Sequence, residues 1–217
     1  KGRFDDTEYA DGKPMYSSGI TVSRWVDGVL EEDENISQRT ALKAMFYWGH
    51  AVNSQTRGVE MQKAMQKLEM MVIVDPYPTV ASVMHDRTDG VYLLPAATQF
   101  ETTGSVTATN RSIQWRDQVI EPLFESKPDH EIMYLFARKL GFGNELVKNY
   151  EMNGDEPLIE DILREINRGM WTVGYTGQSP ERLKEHQQNW HTFSFENLRA
   201  QGGPADGDYY GLPWPCW

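Results

Sequence analysis

Gly49 is followed by His50, Asn53, Ser54, Gln55 and Thr56, a short run of hydrogen-bonding side chains with little formal charge. Imidazole, amide and hydroxyl groups at this density suit a phosphate, and a glycine ahead of them lets the chain turn sharply and lets a ligand approach the backbone with no Cβ in the way. Asp75 is the second group of interest, an acceptor-only carboxylate able to take two hydrogen bonds from a ribose or from the amino edge of a purine. Neither GxGxxG nor GxxxxGK[ST] occurs. An ordinary polar connection would have the same composition, so the residues alone leave both readings open.

The elements that must position these groups can be read from the apolar pattern. Ala44 to Trp48 is an apolar run that stops at Gly49; Met61, Ala64, Met65 and Leu68 recur at helical spacing; Met70 to Val74 is a second apolar run that ends at Asp75. Strand, polar loop, helix and strand make a βαβ unit, with parallel strands and a right-handed crossover. Ligands of such sheets sit beyond the carboxyl ends of the strands, here Gly49 and Asp75, and the helix after the loop would turn its free amide groups and positive dipole end toward an anion.

Other chemistry-bearing residues are weaker candidates. Arg111 can neutralise a phosphate and Asn110 can offer both a donor and an acceptor; an internal pair between Arg111 and Glu101 would order the loop, and the two roles are compatible, since such an acid can position the arginine. His85 and Asp86 sit in a polar loop and are expected to face solvent. The small polar run Thr176 to Ser179 reads first as a turn. Cys216 is the single cysteine, which excludes an internal disulfide and any cluster or zinc site built from several cysteines of this chain.

The remaining pattern supplies packing elements. Ser23 to Leu30 reads as a short helix with Trp25 and Val29 on its packing side. Pro76, Tyr77 and Pro78 delay the next helix until Thr79, which would cap a brief helix through Val83. Val91 to Leu94 is a short strand closed by Pro95, and Ala96 to Arg116 is polar with weak alternation. Asp129 would cap a helix carrying Ile132, Leu135, Phe136 and Leu140 to Gly141; Asp155 and Pro157 would open another, ending at Gly169. Both read as core helices. Trp171 to Gln178 reads as a strand and turn, and Ser179 with Pro180 starts a helix ending near Trp190.

The chain has 217 residues, enough for one domain or two small ones. With 32 acidic against 21 basic residues, its formal charge of −11 argues against a nucleic-acid or anionic-membrane surface. No apolar run approaches the ~20 residues needed to cross a bilayer. The start at Lys1 and the aromatic, proline-rich PWPCW at the other end give the expectation of an internal piece of a longer subunit.

Three stretches, FYWGHAVNSQTRGVEMQKAMQKLEMMVIVDPYPT, VYLLPAATQFETTGSVTATNRSIQWR and VIEPLFESKPDHEIMYLFARKLGF, together resemble the large catalytic subunit of molybdopterin-guanine-dinucleotide formate dehydrogenases, and most of all the respiratory, periplasm-facing kind. The order carries the resemblance: a glycine loop after a strand, an acidic strand end, Leu-Leu-Pro before a polar stretch, and an Asn-Arg-x-x-Gln turn. The chain departs from many relatives in having Gly49, His50, Ala51, Val52 where they carry Gly-x-Asn-Pro or Gly-Glu-Asp-Pro.

The resemblance implies an α/β fold, a mostly parallel sheet with helices on both faces, as one central cofactor-binding domain of the subunit. Residues 1–40 would be loop and short helix, 41–200 the domain that binds molybdopterin guanine dinucleotide, and 201–217 an extended tail on the rest of the subunit. Trp48, Gly49, His50, Asn53, Ser54, Gln55, Asp75, Tyr77, Thr79, Asn110, Arg111 and Gln114 would contact a bis(molybdopterin guanine dinucleotide) carrying Mo or W. The catalytic metal ligands and the iron-sulfur clusters would belong to other parts of the enzyme, so this segment would supply no catalytic residue. The implied partners are the remainder of the catalytic subunit, an iron-sulfur electron-transfer subunit, a membrane cytochrome b subunit and formate, in the periplasm. Two alternatives share the domain: another molybdopterin oxidoreductase of the nitrate or polysulfide reductase type, and a structural relative in a respiratory complex that has lost the cofactor.

Overall fold

A computed structural model describes residues 20–31, 40–107, 113–169, 179–188 and 207. The chain forms two compact units, the first running to Leu94 and the second beginning at Pro95.

In the first unit a 3-10 turn, Val22–Arg24, leads into helix α1, Trp25–Leu30. Strand β1, Ala44–Trp48, is joined through a 3-10 turn at Val52–Ser54 and helix α2, Gly58–Lys67, to strand β2, Met70–Asp75. Helix α3, Val80–Val83, follows, and then strand β3, Val91–Pro95. The sheet order is β1-β2-β3, with β1 and β2 parallel and Trp48 opposite Val74. The predicted βαβ unit is therefore present, with strand limits as read from the apolar runs.

The physical reason lies in β2. Met71, Val72, Ile73 and Val74 are all buried, the uninterrupted apolar run of a strand covered on both faces. Met71 and Ile73 join one core with Tyr47 of β1, Trp25 and Val29 of α1, and Met61, Ala64 and Met65 of α2. The α2 residues recur at three and four, so one stripe of the helix faces the sheet. Gly28 is required by packing: a Cβ there would lie 2.6 Å from Ile20 Cδ1 and 2.9 Å from Leu42 Cδ1. Arg87 closes the unit by donating to the carbonyls of Met65 at 3.3 Å, Glu69 at 2.9 Å and Leu68, left open where α2 ends, and to that of Asp89 at 3.1 Å in its own loop.

The second unit has a different architecture. Strands β4, Gly104–Thr107, and β5, Ile113–Arg116, form an antiparallel pair inside the stretch where the sequence shows only weak alternation. Helix α4, Asp129–Leu140, is followed by a single turn, α5, at Gly143–Leu146. A two-strand hairpin comes next, β6 at Met152–Asn153 and β7 at Glu156–Pro157, then α6, Ile159–Gly169, and α7, Pro180–Gln188. Trp115, Leu163 and Leu183 bury together, and Lys184 Nζ lies 4.8 Å from the centre of the Trp115 ring.

The α/β class holds, with parallel strands at the centre of the first unit and antiparallel pairs in the second. Several details correct the sequence reading. Asp129 is the first residue of α4 and Pro128 its cap, because proline's extended backbone makes the entry; Asp129 still sits in the first turn, where the dipole favours an acid. Asp155 and Pro157 belong to the β6-β7 hairpin, turned at Gly154 with φ +63°, and α6 begins at Ile159. Helix α4 is only partly a core helix: Ile132 and Ala137 are buried, whereas Leu135 and Leu140 are exposed. His85 is buried rather than facing solvent, its Nδ1 accepting the Arg87 amide at 3.2 Å, and burial holds its imidazole below the usual range. The readings for Trp171 to Gln178, Trp190, Cys216 and the tail lie outside the described residues.

Candidate functional site

The carboxyl ends of β1 and β2 form one edge. Gly49 continues β1 for one residue, its amide donating to the Val74 carbonyl at 2.9 Å, and then turns away with φ +55°. That left-handed conformation is the local reason for glycine here. A Cβ built on Gly49 would meet nothing within 4 Å, so the space above this backbone is open.

The loop that follows is fixed at both ends. Val52 is fully buried and anchors the 3-10 turn, and the Ser54 hydroxyl donates to the Ala51 carbonyl at 2.7 Å. Gln55 lies between Trp25, whose Nε1 donates to Gln55 Oε1 at 3.2 Å, and His50, whose Nε2 is 2.6 Å from Gln55 Nε2. At the far end Arg57, with φ +66°, caps α2 and donates to Asp27 Oδ1 at 2.6 Å; Arg24 donates to Asp27 Oδ2 at 3.1 Å. Hydrogen bonds from Arg57 and then Arg24 hold the Asp27 carboxyl below its usual range. These cations are occupied by Asp27, so an anion at this loop would be met mainly by neutral donors.

Across the edge, Asp75 is half-buried, and among the described residues no hydrogen bond or ion pair engages its carboxylate. Tyr77 is exposed. Thr79 stands at the cap position of α3, as expected, yet its hydroxyl makes no capping bond and is buried with no partner. The 3-10 turn Val52–Ser54 packs against α3, which brings the loop after β1 and the segment after β2 together.

The structure thus gathers Trp48, Gly49, His50, Asn53, Ser54, Gln55, Asp75, Tyr77 and Thr79 at one edge of the first unit. His50, Asn53 and Ser54 are exposed and Trp48 and Gln55 half-buried. Gln114 is an exposed residue of β5 in the second unit, opposite Val106. Asn110 and Arg111 lie outside the described residues. Glu101, suggested as a partner for Arg111, is buried and uses its carboxylate on backbone amides, that of Thr98 at 2.6 Å and that of Leu123 at 3.0 Å. Those bonds, the Thr98 amide foremost, keep it below the usual carboxylate range and make it the tie of its own loop.

Sequence reasoning missed Trp25, Asp27 and Arg57 as parts of this site. A buried indole N–H must find an acceptor, so Trp25 carried a signal that something polar lay beside it, though not that it was Gln55. A mainly apolar cavity of about 440 Å³ lies in the second unit, bordered by His130, Tyr134, Tyr150 and Arg116. None of the described residues expected to contact the cofactor lines it. Among the described residues no group of three or more His, Cys, Asp and Glu is arranged to hold a metal ion, and no helix is long and apolar enough to cross a membrane.

The open space above Gly49 and the Asp75 carboxylate, which no described residue engages, fit a nucleotide at this edge: room for its backbone approach and an acceptor for its hydroxyl or amino groups. Residues 21–139 match the family described as molybdopterin oxidoreductase. A protein from a bovine strain of Staphylococcus aureus, named "Putative formate dehydrogenase", is 36% identical over 165 residues, which is 69% of this chain and 15% of that protein. A protein of the same name from Staphylococcus aureus strain USA300 is 35% identical over the same length and coverage. The chain therefore spans about 15% of the length of the curated relatives it matches.

Proposed function

The chain belongs to the molybdopterin oxidoreductase family, and from that premise we propose that its first unit holds a guanine-dinucleotide arm of a bis(molybdopterin guanine dinucleotide) in a formate dehydrogenase. The observation that carries the reading is the Gly49 to Thr79 edge, which lies wholly inside the family-matching segment and combines open backbone at Gly49 with an Asp75 carboxylate that no described residue engages. The relatives named as formate dehydrogenases support formate as the substrate of the whole enzyme.

When bound, such a cofactor with its Mo or W would supply the redox chemistry by which formate gives carbon dioxide, a proton and two electrons. The residues of this chain bind and orient. The Gly49 backbone leaves room for the dinucleotide, His50 and Asn53 offer neutral donors to its phosphates, Ser54 braces the loop through its bond to the Ala51 carbonyl, and the amides opening α2 add a positive dipole end. Asp75 accepts hydrogen bonds from the guanine or the ribose, and Thr79 holds the start of α3 beside it. Trp48 and Tyr77 border the crevice. Metal ligands and iron-sulfur clusters come from the remainder of the catalytic subunit and from an electron-transfer subunit. A cytochrome b subunit would tie the assembly to the membrane from a periplasmic position.

Asp75→Ala in the complete subunit tests this reading. A hydrogen bond to a charged group is worth roughly 1.5–3 kcal/mol, and Asp75 contributes little packing at its strand end. The expected variant is soluble at normal yield but depleted in guanine nucleotide, measured as GMP released by acid hydrolysis per subunit. Full nucleotide content, or loss of the folded subunit, would remove Asp75 from the binding site.

A further inference from the structure

The contact between Gln55 and His50 determines which proton the histidine carries. An indole N–H can only donate, so the Gln55 atom 3.2 Å from Trp25 Nε1 must be the amide oxygen. The NH2 group of Gln55 then faces His50 Nε2 at 2.6 Å. An NH2 group can only donate as well, so Nε2 must accept, and the proton of the neutral imidazole resides on Nδ1. His50 is exposed, follows Gly49 directly, and among the described residues nothing engages Nδ1.

The surroundings give that N–H a use. Arg57 and Arg24 are both spent on Asp27, so this end of the loop meets an anion with neutral donors. An imidazole locked by its Nε2 presents one donor of fixed direction, whereas an unlocked ring could turn a lone pair to the same place and repel an anionic oxygen.

We propose that Gln55 is a positioning residue: held by Trp25, it fixes His50 in the tautomer that donates Nδ1–H to a pyrophosphate oxygen of the bound dinucleotide. The proposal rests on the reading of this edge as the guanine-dinucleotide site, and it adds a direction of action, from Trp25 through Gln55 to His50.

The test is a coupling cycle in the complete, cofactor-loaded subunit, with GMP retained per subunit after dilution and gel filtration as the readout. Gln55→Leu and His50→Ala alter a half-buried and an exposed side chain, and each is expected to shorten the half-life of retained nucleotide about five- to tenfold, the scale of one neutral hydrogen bond. The double variant is expected to be no worse than His50→Ala alone, because Gln55 acts only through His50. Trp25→Phe, which keeps an aromatic ring in the core but removes the N–H, should reproduce part of the Gln55→Leu loss. Additive losses in the double variant would mean that Gln55 supports the loop independently and would overturn the relay, as would unchanged retention in Gln55→Leu. Asp75→Ala separates this failure from that of the underlying reading. Loss of nucleotide there with an intact Gln55→Leu sinks the relay alone, and full retention in both sinks the site.

Discussion

At the scale of single residues, Gly49 presents two reasons for being glycine that substitution can separate. Its φ of +55° strains any other residue, and the open space above it would be narrowed by any Cβ. Asparagine tolerates the left-handed region, whereas a β-branched residue there costs about 1–3 kcal/mol. Gly49→Asn is therefore expected to keep the thermal midpoint of the subunit and Gly49→Val to lower it, while both lose guanine nucleotide. An asparagine variant with full nucleotide content would show that glycine serves the turn alone. Residues of this kind were legible, because Gly49 and Asp75 each terminate an apolar run. Asp27 with Arg57, and Trp25 with Gln55, were not: each pair is separated by thirty positions, and no local pattern marks which distant partner a side chain will meet.

At the scale of elements, legibility followed the strength of the period. The run Met70 to Val74 and the spacing of Met61, Ala64 and Met65 each allow one structure, and those elements appear where expected. The β4-β5 pair and the small β6-β7 hairpin were missed because half-exposed strands of four and two residues leave almost no alternation to read. Cap chemistry was read only in part. Gly141 ends α4 with φ +87°, as expected, but the end of α2 is satisfied from twenty residues away by Arg87, which no local signal announces. Gly90, at φ +62°, makes room for this arrangement, since a Cβ there would lie 2.5 Å from both Arg87 Nη2 and the Glu69 carbonyl. Arg87→Leu should therefore destabilise the subunit by about 2 kcal/mol, within the range for hydrogen bonds from a charged donor. Because it acts at the end of α2 opposite the crevice, nucleotide per folded subunit should stay constant while the melting midpoint falls. A parallel fall in nucleotide content would show that the helix transmits the loss to its other end.

At the scale of the molecule, the apolar surface decides how the 217 residues behave by themselves. Phe124 is fully exposed and held at φ +55°, a conformation an aromatic residue adopts only when its surroundings impose it. Its loop is tied down on both sides: the Val119 and Ile120 amides donate to the Phe100 carbonyl, the Leu123 amide to Glu101, and the Lys127 amide to the Pro95 carbonyl. The loop thus displays Val119, Leu123 and Phe124 on a braced frame, and Leu140 and Met133 add apolar surface along α4. Scattered exposed apolar residues are ordinary, but several on one ordered loop mark a contact surface. The relatives are several times longer than this chain, and the remainder of the same subunit is the proposed cover. Residues 1–217 produced alone are therefore expected to self-associate at micromolar concentration and to bind a hydrophobic dye. Phe124→Ser together with Val119→Ser should reduce both without altering the circular dichroism of the helices. A monomeric fragment that excludes the dye and melts in one sharp transition would mean that this surface is stable in water and needs no cover.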